Sequence, residues 1–201
     1  MGKNLIIAHI SIEGTRPLMW HVFGPDAIPL EKQERAGVAG NDPTEWRKTV
    51  SFTKDGQLYL RGDYAFGCLR DAARYTKRGR GSIQKYVVAT LQINEERLLI
   101  DRHIPGFADG LPDEMPTDPE LPVYLDIRSV VNPKTRARNV RYRVTASPGW
   151  RLDFSILWDK TVVSRGEMEA VAIDAGTLVG IGDGRAVGMG RFDILSFAIE
   201  E

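Results

Sequence analysis

Arg70, Arg74, Lys77, Arg78 and Arg80 follow one another closely, with Asp71 the only acid among them. Arg128, Lys134, Arg136, Arg138, Arg141 and Arg143 form a second basic run that holds no acid at all. The planar guanidinium fork matches phosphate and carboxylate oxygens. Two such segments can therefore make a local anion-binding face, although the chain as a whole balances 27 basic against 27 acidic residues. Neutral net charge alone neither supports nor excludes nucleic acid, and any single arginine here can equally be solvated surface.

A third segment is built from glycine. Gly180-Ile181-Gly182-Asp183-Gly184-Arg185-Ala186-Val187-Gly188-Met189-Gly190 places five glycines in eleven residues. Glycine serves where the backbone must reach positive φ or approach another chain closely, so this is a shaped loop. It follows a helix-like stretch and precedes a strand-like one. A dinucleotide or P-loop fingerprint has the reverse order, with phosphate at the N-terminus of the following helix, and a P-loop ends in Gly-Lys-Ser/Thr. Nucleotide-cofactor binding is therefore not the expectation, and no cofactor is expected.

Acid–base and metal chemistry have few candidates. His21 lies in a long Gly/Pro-rich stretch between Trp20 and Val22, and Asp26 follows Pro25 in the same stretch. Either could act in proton transfer; the plainer readings are a packed histidine and a turn aspartate. His103 has no evident partner, and His9 is expected to face out from the first strand, on either the core or the sheet surface. Three scattered histidines and one cysteine, Cys68, give no zinc pattern and no intramolecular disulfide. No metal site is expected. The apolar run Leu5–Ile12, broken by His9, is too short for a signal peptide or membrane span, and a cytoplasmic location is expected.

These residues need elements to position them. Alternation makes Leu5–Ile12 a first strand, with Ile6, Ala8, Ile10 and Ile12 on one face. A long excursion follows, with a short helical piece expected at Leu30–Arg35. Lys54-Asp55-Gly56 signals a hairpin between Val50–Phe52 and Leu58–Leu60. Asp63 reads as the N-cap of a helix whose apolar side is Phe66, Leu69, Ala72, Ala73 and Thr76, with Arg70, Arg74, Lys77 and Arg78 along it. Tyr86–Ile93 reads as a second core strand. Asp101–Pro122 carries five prolines and is expected to be a loop or extended arm. Val123–Val131 and Asn139–Ala146 can pair as a hairpin. Arg151–Trp158 is a strand, Ser164 and Glu167 form a capping box before a second helix, and Phe192–Ile199 is the last strand. The order β-α-β, β-α-β predicts an α+β, ferredoxin-like (RRM-like) core. A single domain is expected, with insertions at about 14–49 and 101–139.

On that scaffold the glycine segment fits the pattern Gly-hydrophobic-Gly, five spacers, Gly-hydrophobic-Gly. It resembles the C-terminal glycine-rich loop of the RAMP superfamily of CRISPR-associated proteins, which joins the second helix of a ferredoxin-like fold to its last strand. The segment from Tyr59 to Arg70 resembles the entry to the first helix of Cas7-like backbone subunits, through Tyr59, Gly62, Gly67, Leu69 and Arg70. It departs from them at Asp63 and Tyr64, where those proteins carry small hydroxyl residues, and at Phe66, where they carry a basic one. An acid at that helix start repels phosphate, and Arg61 and Arg70 are placed to offset it.

The resemblance implies an RNA-binding subunit of a CRISPR-type ribonucleoprotein serving antiviral defence. It would hold single-stranded guide RNA by its phosphates and assemble with copies of itself and with other effector subunits. The implied RNA contacts are Arg61, Arg70, Arg74, Lys77, Arg78, Arg128, Arg136 and Arg138, with Gly180, Gly182, Gly188 and Gly190 admitting the backbone. Two alternatives stand beside it. One is an endoribonuclease, cutting in Cas6-like fashion through His21 or with metal assistance through Asp26. The other is a ferredoxin-like interaction protein that never meets nucleic acid.

Overall fold

In the computed structural model the described residues are 4–24 and 40–200. The helical piece expected at Leu30–Arg35 lies outside them, as does Asp26. The chain begins with β1 (Leu5–Gly14), β2 (Leu18–Met19), β3 (Gly40–Asn41), α1 (Glu45–Thr49), β4 (Gln57–Arg61) and α2 (Gly62–Ala72). It continues through β5 (Lys77–Arg78), β6 (Gly81–Ser82), α3 (Gln84–Thr90), β7 (Gln92–Ile93), β8 (Arg97–His103) and β9 (Val123–Val131). It ends with β10 (Arg138–Ala146), β11 (Arg151–Asp159), α4 (Arg165–Asp174) and β12 (Phe192–Ile199). The architecture is α+β with antiparallel sheets. Among the described residues no helix is long and apolar enough to cross a membrane.

Two compact units emerge. The first combines Met1–Leu18, Tyr59–Asp101 and Pro148–Glu201; the second combines Met19–Leu58 and Arg102–Ser147. The stretches read as insertions supply much of the second.

The first unit is organised by a sheet of order β12-β1-β11-β8-β4, with β7 also beside β11. Its register explains its core. Ile6, Ala8, Ile10 and Ile12 of β1 stand opposite Trp158, Ile156, Phe154 and Leu152 of β11, and all eight are buried. Alternation along both strands sends these side chains to one face. That face is covered by Ala65, Cys68 and Leu69 of α2 and by Ala172 of α4, which meet Ile12, Phe154 and Phe192 around a small apolar cavity. The Cys68 thiol reaches the Ala175 carbonyl at 3.6 Å.

Both helices depart from the expected pattern. α2 starts at Gly62 with Arg61 as its N-cap residue, and Asp63 lies in its first turn without capping it. It stops at Ala72, so Arg74 sits in a turn, and Lys77 and Arg78 lie on the small β5–β6 hairpin, where Lys77 faces Ser82. The second helix forms as the capping box dictates: Ser164 Oγ accepts from the Glu167 amide while Glu167 reaches back to Ser164. After Asp174, however, one π-helical turn spans Ala175–Val179, closed by the Gly180 amide on the Ala175 carbonyl at 2.7 Å. The extra residue shifts the helical phase, which turns Leu178 out to solvent instead of into the core.

Tyr86–Ile93 is not a core strand. Gln84–Thr90 is helical, and only Gln92–Ile93 pairs with β11. Ile83, Val87 and Leu91 are buried, whereas Lys85 and Ala89, which would share their face in a strand, are exposed; burial at every fourth residue without the ones midway between fits a helix, not a two-residue strand period. β8 runs three residues into Asp101–Pro122, the stretch expected to be a loop or extended arm: Leu98 and Ile100 are buried and Leu99 between them is exposed. From 104 to 122 the chain has neither helix nor strand, as the prolines require.

In the second unit β9 and β10 form the expected hairpin, pairing Val123 with Ala146 through Val131 with Arg138. The short α1 is tied to β10 by Glu45, which accepts from Arg141 Nη1 at 2.7 Å and from the Tyr142 amide at 3.1 Å. The hairpin around Gly56 reduces to one bridge, Phe52 to Leu58, closed by the Gly56 amide on the Thr53 carbonyl.

Candidate nucleic-acid interface

The glycine segment is a shaped loop. Gly180, Gly182, Gly184, Gly188 and Gly190 all have positive φ, between 67° and 84°. Its base is a backbone clasp in which the Ile181 amide bonds the Gly190 carbonyl at 2.8 Å, and the Gly190 amide bonds Pro17 at 2.8 Å. A Cβ at Gly190 would lie 1.7 Å from the Ile181 oxygen, and one at Gly180 would lie 2.6 Å from the Met189 oxygen. Only glycine closes the clasp at those two positions. Ile181 anchors the base in the core, whereas Val187, in the 3₁₀ turn Arg185–Val187 at the tip, is 70% exposed.

That tip brings a cation to α2. Arg185 Nη1 lies 3.3 Å from Asp71 Oδ2, while Arg70 Nε at 3.0 Å and Arg74 Nη2 at 3.5 Å meet Oδ1. Burial pushes the Asp71 carboxyl up, but the Arg70 hydrogen bond and the charges of Arg70, Arg185 and Arg74 outweigh it and hold the group below its ordinary value. Three guanidiniums share the one carboxylate of Asp71. The aspartate is only 19% exposed, against 43%, 62% and 37% for Arg70, Arg74 and Arg185, so the cluster presents its cations outward. Such a surface suits phosphate oxygens. Next to the clasp, Arg191 Nη1 is buried with no hydrogen-bond partner among the described residues.

No pattern in the sequence marks Arg185 or Arg191 as site residues. Arg185 sits between two motif glycines, which is the available signal for it. Asp71 was legible only as the one acid in a basic run.

The other candidates are placed as follows. Arg61 is held by Asp63 of its own turn, and this hydrogen bond raises its pKa. Arg78 makes a fork with Glu167 at 2.8 and 2.6 Å, donates both Nη1 and Nη2 to the Val162 carbonyl, and lies over the Tyr86 ring at 4.6 Å. Its donors thus tie the β5–β6 hairpin to the start of α4. Lys77 is exposed on that hairpin. Arg128, Arg136 and Arg138 belong to the β9–β10 hairpin of the second unit: Arg128 is bonded by Asp126, Arg136 occupies the turn with φ 58°, and Arg138 is exposed.

Among the described residues the three histidines stand apart from one another. His21 stands edge-on to Phe23 at 5.1 Å, with Nδ1 4.0 Å from Glu45. His103 lies 4.0 Å from Asp55. His9 Nδ1 shares a hydrogen bond of 2.9 Å with Ser155. Burial pushes the Cys68 thiol up to about 12, which removes it as a nucleophile near neutrality. Among the described residues no cluster of three or more His, Cys, Asp or Glu could hold a metal ion.

No protein-family model and no curated protein matches the sequence. The structure, by contrast, resembles a chain in the cryo-EM structure of the Type III-B Cmr-beta bound to cognate target RNA. The TM-score is 0.53 at 12% identity, over 98% of this chain and 61% of that one. This chain therefore spans less than two thirds of that chain's length, and at this identity the likeness is one of fold.

Proposed function

We propose that this protein is an RNA-binding, non-catalytic subunit of a CRISPR-type effector complex, built on a ferredoxin-like core. Taking β1, β8, β11 and β12 as the core strands, their order is 4-1-3-2 with α2 and α4 on one face, which supports the split β-α-β reading. The observation that carries the function is the meeting of the glycine loop with α2: a clasped loop whose Arg185 joins Arg70 and Arg74 on Asp71. Glycines without side chains let a sugar-phosphate chain approach the backbone, and the guanidiniums meet its phosphates. The solved chain of similar fold belongs to a complex bound to target RNA, which supports the same reading.

The subunit holds a single RNA strand and assembles with further copies and with other effector subunits. Arg128, Arg136 and Arg138, on the second unit's hairpin, give additional phosphate contacts. His21, packed against Phe23 and near Glu45, has a structural role here.

The test is the content of freshly purified protein. The reading expects an absorbance ratio typical of ribonucleoprotein, RNA of regular length on extraction, and assemblies that grow with concentration. Clean, monomeric, RNA-free protein that also fails to bind added single-stranded RNA would reject it.

A further inference from the structure

The strand β12 ends its sheet: β1 lies on one side, and among the described residues no strand pairs with the other. The Glu200 amide bonds the Ile7 carbonyl at 2.9 Å, and Ala8 stands opposite Ile199. In an antiparallel ladder this makes Ala8–Ile199 a non-hydrogen-bonded pair. The N–H and C=O of Ile199, and by alternation those of Phe197, therefore point away from β1. Beside this edge runs a groove of about 570 Å³ between α4 with its π turn and residues 192–197 of β12. Glu169, Ile173 and Thr177 recur every four residues along its helical wall. Ile173 is 52% exposed and Leu195 is 54% exposed. The charged residues lining the groove are Glu169 and Asp193, both acidic, and no basic residue lines it.

We propose that this groove is a docking site for an extended peptide segment of a partner protein, added to the sheet as a strand beside β12. Three features select that occupant. Outward backbone N–H and C=O groups are satisfied by another extended backbone, and such edge addition is a general mode of peptide capture. Apolar side chains at alternate positions of the added strand fall over Ile173 and Phe197. Lysine or arginine at its ends meets Glu169 and Asp193. The same acidic rim repels a polyanion, so this face is separate from the arginine cluster and takes protein, not RNA. Six strand residues span about 20 Å, which sets the length of the recognised segment.

The experiment pans a phage-displayed library of random dodecapeptides against the full-length protein and measures synthetic copies of the winners by fluorescence anisotropy. Enriched peptides should show apolar residues at alternate positions flanked by Lys or Arg. Their affinity should fall at least tenfold for Glu169→Lys/Asp193→Lys and for Ile173→Glu, all changes at exposed positions, with circular dichroism unchanged. N-methylation of alternate peptide amides should abolish binding in one register and spare it in the other. Single-stranded RNA affinity should not fall in these variants, which keeps failure here distinct from failure of the RNA reading. The proposal is overturned if no peptide is enriched, or if the winners bind the variants unchanged. It is also overturned if the free protein dimerises through β12 and the same substitutions dissolve the dimer, because the occupant is then a second copy.

Discussion

Arg185 of the glycine loop reaches Asp71 of α2 across 3.3 Å, although 114 positions separate them in the chain. The contact makes the loop and the helix one surface, and Asp71 is its hub. The aspartate holds Arg70, Arg74 and Arg185 in place while cancelling part of their charge.

Replacing Asp71 by Asn separates those two effects. Asn keeps hydrogen-bond acceptance and removes the negative charge. Single-stranded RNA affinity at low salt should rise a few-fold, while stability falls by about 1 kcal/mol through loss of charge-assisted bonds. Binding titrations paired with urea midpoints measure both; a loss of affinity would mean that arginine geometry outweighs charge.

The loop's clasp predicts unequal costs for one substitution type. At Gly190→Ala the new methyl meets the Ile181 carbonyl and a φ of 67°, and the cost should be about 2–4 kcal/mol. At Gly188→Ala the φ is 83° but the space is open, and about 1 kcal/mol is expected from backbone strain alone. Equal denaturation midpoints for the two variants would show that the clasp is not formed.

Glu167 gives a pH signature. The Arg78 hydrogen bond is the largest influence on its carboxyl, held down to about 2 from an ordinary 4.5. A depressed folded pKa contributes stability that is complete above the unfolded value and lost as pH falls. The window is about 4.5 down to about 2. Thermal midpoints of Glu167→Gln should therefore converge with those of the wild type as pH falls through that window; a constant gap would assign the effect to packing.

Cys68 should be silent to thiol reagents. With its pKa pushed up to about 12 by burial, labelling by a maleimide at pH 7.5 should proceed only as fast as the protein opens, and at the free-thiol rate in denaturant. Rapid labelling of native protein would place the thiol at the surface.

What could be read from the sequence was what local chemistry and alternation decide. β1 follows period two and β11 departs from it only at the buried Ser155, the Ser164–Glu167 box caps α4 as written, and the five glycines adopt the conformations that glycine serves. Sequence pattern and structure part where two periods compete. In Tyr86–Ile93 the β-branched content argues for a strand, but only a helix buries Ile83, Val87 and Leu91 while leaving Lys85 and Ala89 exposed. The end of α2 at Ala72 moved Arg74, Lys77 and Arg78 off the expected helix face, and the π turn after Asp174 re-aimed Leu178. The candidate interface was half legible. Arg70 and Arg74 stood in a visible basic run, but their junction with Arg185 through Asp71 exists only once the sheet brings two distant segments together.

The central claim concerns that junction, and its most direct test is the salt dependence of single-stranded RNA binding. Wild-type protein and Arg70→Ala/Arg74→Ala/Arg185→Ala are compared by anisotropy from low to high salt. If the three guanidiniums meet phosphates, the variant binds at least tenfold more weakly, and the slope of log K against log salt becomes shallower by about 2. Unchanged affinity and slope would contradict the account.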